Sequence, residues 1–222
     1  MKNLGFTLFE TLLTLTIIGV VSALTIPALV NNHQNHIAET SLHKFYNDLD
    51  RAVENYMAEQ HVDDLSESDL AESAQGLTEF VNKYFKIQKN CGTRYYENEG
   101  NSCFARYYKR LNNNDTMDLS RYQCNIIFRT TNGMAVCMDT ATMETLNPDS
   151  DSSIQSDYNI ESELGVAIAV EVDINGPQGP NILGRDYFNC IAVMRTGRIT
   201  TNPRVPDSYF NRIYSNNWKM DY

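Results

Sequence analysis

A single carboxylate, Glu10, interrupts an apolar run from Phe6 to Val30 that holds no other ionisable side chain. An acid inside hydrocarbon is costly, about 2.5–3.5 kcal/mol at a bilayer centre and less toward an interface. A carboxylate in this position therefore needs a counter-charge or a headgroup within reach. A second polar concentration lies between residues 173 and 186. Asp173, Asn175, Asn181 and Asp186 are oxygen donors of the kind that Ca²⁺ gathers in sets of six to eight, which makes them candidate calcium ligands. The stretch is not an EF-hand, because Gly176 comes too early and no Glu closes the loop. The same Gly, Pro, Asn and Asp residues also build an ordinary turn, each chosen for backbone geometry.

Five cysteines, Cys91, Cys103, Cys124, Cys137 and Cys190, all follow the apolar run. That distribution fits an oxidising compartment with two disulfides and one remaining thiol. Cys91 and Cys103 bracket a short polar loop and form the most natural pair. No C-x-x-C occurs and no His lies near any cysteine, which argues against a zinc site. His33, His36, His43 and His61 lie on or beside one long helical segment, without a carboxylate to complete a metal or catalytic set. G-x-S-x-G, H-E-x-x-H, P-loop and dinucleotide signatures are missing, so the expectation is a protein that is not an enzyme. Tyr95-Tyr96 and Tyr107-Tyr108 offer flat faces to sugars or other planar ligands, or simple packing. The formal charge of −10 is the wrong sign for nucleic acid, and no nucleic-acid partner is expected.

The elements that would position these residues are readable in outline. As a helix, the run from Phe6 to Val30 is about 37 Å long, enough to cross about 30 Å of hydrocarbon. Lys2 is the only charge before Glu10, a slight positive-inside signal placing the N-terminus in the cytoplasm. Beyond Asn31-Asn32, Leu42, Tyr46, Leu49, Val53 and Tyr56 recur at alternating steps of four and three, one stripe of an amphipathic helix. One helix from about Phe6 to Glu59 is expected, with Pro27 kinking it by removing a hydrogen bond.

Ser66-Glu67-Ser68-Asp69 reads as a helix start. Leu77, Phe80, Val81, Tyr84 and Phe85 form the stripe of a second, short helix. Cys91 to Leu119 is polar enough to read as a loop-rich connection. Strands are expected over 124–129 and 134–138, about an Asn132-Gly133 turn. A two-residue turn there sets Phe128 opposite Cys137 and puts Cys124 about 13 Å further along, so a Cys124–Cys137 disulfide fits that register badly. Residues 139–163 read as a polar insert, 165–173 and 188–194 as strands, and 195–198 as a turn into a short last strand. The aromatic C-terminus, with Tyr209, Phe210, Tyr214 and Trp218, is expected to dock. The pattern is an α+β fold: a long N-terminal helix laid on a small antiparallel sheet of three to five strands.

The leader Met1-Lys2-Asn3-Leu4-Gly5, the Gly5-Phe6 junction, Glu10 and the apolar run together resemble the N-terminus of type IV pilins and type II secretion pseudopilins. The resemblance is strong over residues 1 to about 57. It implies a leader of residues 1–5, an assembly helix of 6–30, its amphipathic continuation over 31–59, and an extracytoplasmic domain from 60 to 222. It further implies that a membrane-embedded prepilin peptidase cuts after Gly5 and methylates Phe6. Glu10 then pairs with the N-terminus of a neighbouring subunit, and Pro27 accompanies a bend. Some pseudopilins bind calcium in a loop near the end of the sheet, resembling 173–186 in place and composition. The expected partners are other pilin or pseudopilin subunits, the peptidase and the inner membrane.

Two other classes stay open on the residues. One is a single-pass, membrane-anchored binding module that never polymerises. The other is a secreted enzyme behind a signal cleaved at Ala23, where Val21-Ser22-Ala23 offers the site.

Overall fold

The computed structural model describes residues 7–98, 100–111, 115–140, 165–202 and 207–221. Gly5, Phe6 and most of the expected 139–163 insert lie outside the described residues. The chain forms two compact units, Met1–Ile37 and Ala38–Tyr222. Helix α1 (Leu8–Gln60) begins in the first unit and ends in the second.

In the first unit α1 is apolar and exposed, with Leu8, Leu15 and Leu24 between 65% and 79% accessible. A window of 18 residues in this helix has a mean hydropathy of 2.2, and its length and composition suffice to cross a membrane. The threonines do not break this character. Thr11 donates its hydroxyl to the Leu8 carbonyl, Thr16 to Leu12 and Thr25 to Val21, at 2.8–2.9 Å. Those bonds satisfy the hydroxyls within the helix itself. Pro27 lies inside α1, which stays one helical element through it.

In the second unit the remainder of α1 buries the predicted stripe. Leu42, Leu49 and Val53 are fully buried, and Ala38, Phe45 and Ala52 widen the same face. Burial of a Leu or Val side chain contributes about 1.5–3 kcal/mol. A 3₁₀ turn (Leu65–Glu67) and the short α2 (Asp69–Glu72) lead to α3 (Ala74–Tyr84). Ser73 caps α3 by accepting from the Gly76 amide at 2.9 Å. Leu77, Phe80 and Val81 then bury the expected stripe of this helix.

The sheet is larger than the sequence suggests. Nine strands are described: β1 (Ile87–Arg94), β2 (Tyr107–Arg110), β3 (Thr116–Asp118), β4 (Gln123–Thr130), β5 (Ala135–Thr140), β6 (Val166–Asp173), β7 (Ile182–Leu183), β8 (Tyr187–Met194) and β9 (Ile199–Thr201). Their order is β1-β4-β5-β6-β8-β7-β2-β3, with β9 also on β8. β7 runs parallel to both β2 and β8, and the other pairings are antiparallel. The stretch from Cys91 to Leu119, expected as loop, thus supplies half of β1 and all of β2 and β3. β1 is an edge strand with three register shifts and no fully buried residue, and only Tyr108 of β2 is buried, so neither carries the run of buried apolar positions that marks a strand in sequence.

Both sheet faces are covered. Ile126, Phe128, Val136, Met138, Val170 and Phe188 join α1 and α3 in the main core. On the opposite side Ile127, Ala135, Cys137 and Tyr187 pack with Tyr95, Phe104, Tyr108 and Leu119 in a second, smaller core. The aromatic C-terminus docks as expected. α4 (Tyr209–Ser215) buries Phe210 and Ile213, Trp218 stacks on His43 at 4.4 Å between centroids, and the Met220 amide donates to Glu39 at 2.6 Å.

The β4–β5 hairpin corrects the predicted register. The Thr130 amide donates to the Met134 carbonyl, so Thr131-Asn132-Gly133 is a three-residue loop closed by Gly133 at φ +92°. Phe128 consequently pairs with Val136 and Ile127 with Cys137. A second irregularity follows. Between Ile127 and Gln123, β4 advances four residues while β1 advances only two, from Gly92 to Arg94. This bulge turns Cys124 onto the face of Ile127 and Cys137 and brings the two cysteine Cα atoms to 5.9 Å. Beyond it, the Asn125 amide donates to Asp139 at 2.5 Å, and the Thr140 amide donates to Asn125 Oδ1 at 2.8 Å. Cys124–Cys137 is therefore a disulfide, against the expectation from an unbroken ladder.

Candidate functional site

Of the N-terminal candidates Gly5, Phe6 and Glu10, Glu10 is the one among the described residues, and it is bonded to Thr7. The Thr7 amide and hydroxyl both donate to Glu10 Oε2, at 2.8 and 2.9 Å, and the Glu10 amide donates to the Thr7 hydroxyl at 3.2 Å. This reciprocal arrangement is a capping box: Thr7 precedes the helix and Glu10 is its third residue. It satisfies helix-end donors and places a negative charge at the positive end of the helix dipole. The spacing Thr7-x-x-Glu10 is the sequence signature of this cap. It fixes one carboxylate oxygen of the acid at the head of the exposed apolar helix.

The cysteines divide as the sequence suggests in number. Cys91–Cys103 and Cys124–Cys137 are disulfides, and Cys190 forms none. Both bridges serve the second core, where Cys103, Cys124 and Cys137 are buried.

The candidate calcium set lies at one end of the same core, and its carboxylates are engaged. Asp173 accepts from the Tyr108 hydroxyl through Oδ2 and from the Asn175 amide through Oδ1 at 3.1 Å. Asp186 Oδ2 accepts from the Ile182 amide at 2.8 Å, and its backbone carbonyl accepts from the Ile174 amide. Burial pushes the Asp173 carboxyl well above the usual carboxylate range, with the nearby negative charge of Asp186 adding to it. Burial also raises Asp186, opposed by the Ile182 amide and Arg185. Asn175 Oδ1 and Asn181 Oδ1 are shut from solvent without a hydrogen-bond partner among the described residues. Those two amide oxygens suit calcium, but the Asp oxygens already hold the loop together.

Glu171, which the sequence did not single out, is the third acid of this region. It accepts from Tyr95 Oη at 2.5 Å and from the Tyr187 hydroxyl. Burial raises its carboxyl above the ordinary range, while the two tyrosine bonds pull it partly back. Its partners lie 76 and 16 residues away in the chain, a separation no local motif reveals.

No protein-family model, curated protein or solved structure matches this chain. What stands is the architecture: a long apolar N-terminal helix whose latter part packs on an antiparallel-rich, disulfide-bonded sheet domain, as in pilins. The helix and the disulfides mark a domain that is membrane-anchored or secreted and lies outside the cytoplasm.

Proposed function

We propose that this chain is a structural subunit, a major or minor pilin or pseudopilin, of a type IV pilus-like or type II secretion filament. The supporting observation is the helix of the first unit, apolar and exposed along its length, with one capped carboxylate, Glu10, at its head. In this reading the chain enters the inner membrane as a single-pass protein, with the disulfide-bonded domain outside the cytoplasm. Prepilin peptidase cuts after Gly5 and methylates Phe6. The subunits then leave the bilayer and bundle their helices, which exchanges lipid contacts for helix contacts.

Inside the bundle Glu10 takes the positive N-terminus of a neighbour as its counter-ion. Opposite charges in a medium of low dielectric attract far more strongly than in water. Removing one partner of such a buried pair strands the other, at a cost of about 3–5 kcal/mol. The Thr7 bonds contribute by orienting the carboxylate before assembly.

Mass spectrometry of the mature N-terminus tests the processing step. N-methylated Phe6 supports the filament subunit. An intact Met1 supports a membrane-anchored binding protein that does not polymerise, and a terminus near Leu24 a secreted protein; either result overturns the proposal.

A further inference from the structure

The loop that follows β1 and the 174–186 loop enclose a cleft of about 570 Å³ beside the second core. That size lies within the range of small-molecule sites. Its lining includes Tyr96, Tyr107, Arg106, Arg129 and Asn181, and no carboxylate side chain among the described residues.

Three features set this cleft apart from a surface crease. First, its walls are held in place. The Cys91–Cys103 bridge ties one wall, Ser102 Oγ accepts from the Glu97 amide at 2.8 Å, and Lys89 donates to the Gly100 and Asn101 carbonyls at 3.0 and 2.8 Å. The opposite wall is tied to β2, where the Lys109 amide donates to the Asn181 carbonyl at 2.9 Å.

Second, two lining residues carry a buried polar atom with no hydrogen-bond partner among the described residues: the donor Arg129 Nε and the acceptor Asn181 Oδ1. Leaving such groups unmet is unfavourable, so a ligand that draws either side chain toward the cleft and supplies its missing partner gains from it.

Third, the charged side chains among the described lining residues are both arginines, Arg106 and Arg129. Arg106 stands over the Tyr107 ring at 4.8 Å and near that of Tyr96 at 5.8 Å, which holds the guanidinium at the cleft beside two flat aromatic faces. Asp118, at 3.4 Å, offsets part of its charge, and the side chains of both are more than 40% exposed.

We propose that this cleft binds an acidic saccharide, its carboxylate held by Arg129 and Arg106 and a ring hydroxyl donated to Asn181 Oδ1. A neutral sugar, rich in hydroxyl donors, would be better served by carboxylate acceptors than by two guanidinium groups. A carboxylate matches the planar donor fork of arginine, and Tyr107, half exposed, offers a ring face for the pyranose. The site does not depend on whether the chain polymerises.

The test is calorimetric titration of the full chain in detergent micelles. Trigalacturonate and sialyllactose are the acidic probes, with galactotriose and lactose as their neutral counterparts. Saturable binding of an acidic probe is expected, with the neutral sugars at least about tenfold weaker. Arg106→Ala, at an exposed side chain that leaves the cores untouched, and Arg129→Lys, which keeps the charge but loses Nε, should each weaken binding about tenfold or more. The inference is overturned by equal affinity for acidic and neutral sugars, or by no binding of either acidic probe at about 1 mM. Unchanged affinity in Arg106→Ala, or tighter binding of a Glu-rich peptide than of either saccharide, would overturn it equally.

Discussion

Replacing Cys124 and Cys137 together by alanine removes a bridge that the predicted hairpin register had disfavoured, so its consequence measures the observed register directly. The cysteines are 13 residues apart. Closing a loop of that length in the unfolded chain corresponds to about 3 kcal/mol of stabilisation on the chain-entropy account. Both side chains are buried, at 2% exposure, so the truncation also loses packing in the second core and the total should exceed that figure. For a domain of this size, 3 kcal/mol lowers the midpoint by about 6–12 °C. The assay is thermal unfolding of the full chain in detergent, followed by circular dichroism. Non-reducing peptide mapping of the parent identifies the bridge in parallel. A midpoint change under about 2 °C, or a map that joins Cys124 to Cys190, would refute the bulged β4 and the pairing built on it.

Glu171→Gln removes a half-buried acid whose carboxyl is raised by its partial removal from solvent. Between the ordinary carboxylate range and its raised folded value, the native state holds a proton that the unfolded chain has released, so stability falls as pH rises through that window. Denaturant titrations at about pH 5 and pH 8 should show a smaller difference for the glutamine variant than for the parent; an equal difference refutes the assignment. Leu49→Ala, at a fully buried position of α1, should cost about 2–5 kcal/mol in the same titrations, and a loss below 1 kcal/mol would contradict the packing of the α1 stripe. Chelator treatment tests the 173–186 loop: the internal bonds of Asp173 and Asp186 predict an unchanged midpoint, whereas a fall that Asp173→Ala abolishes would assign calcium there.

The parts of this fold legible in the sequence are those governed by local periodicity. Leu42, Leu49 and Val53 announce the buried face of α1 because steps of three and four residues place them on one side of a helix. Leu77, Phe80 and Val81 do the same for α3. Asn132-Gly133 marks the hairpin but not its length, since a Gly at positive φ closes two- and three-residue loops alike. That one-residue difference, together with the bulge before Ile127, hid the Cys124–Cys137 bridge.

β1, β2 and β3 were illegible for another reason. Their order comes from pairing with β4 and β7 and from Tyr108 in the second core, all set by distant residues. The partners of Glu171 and Asp173 are tyrosines from distant parts of the chain, visible only after folding. At the N-terminus the acid is legible by its isolation in the apolar run, and its Thr7 cap by the T-x-x-E spacing.

Electron microscopy of cells that carry the matching assembly machinery, expressing either the parent chain or Glu10→Gln, tests the proposed assembly most directly. The expected result is leader cleavage at Gly5 in both and filaments from the parent alone. Normal filaments from the glutamine variant would contradict the role given to this carboxylate.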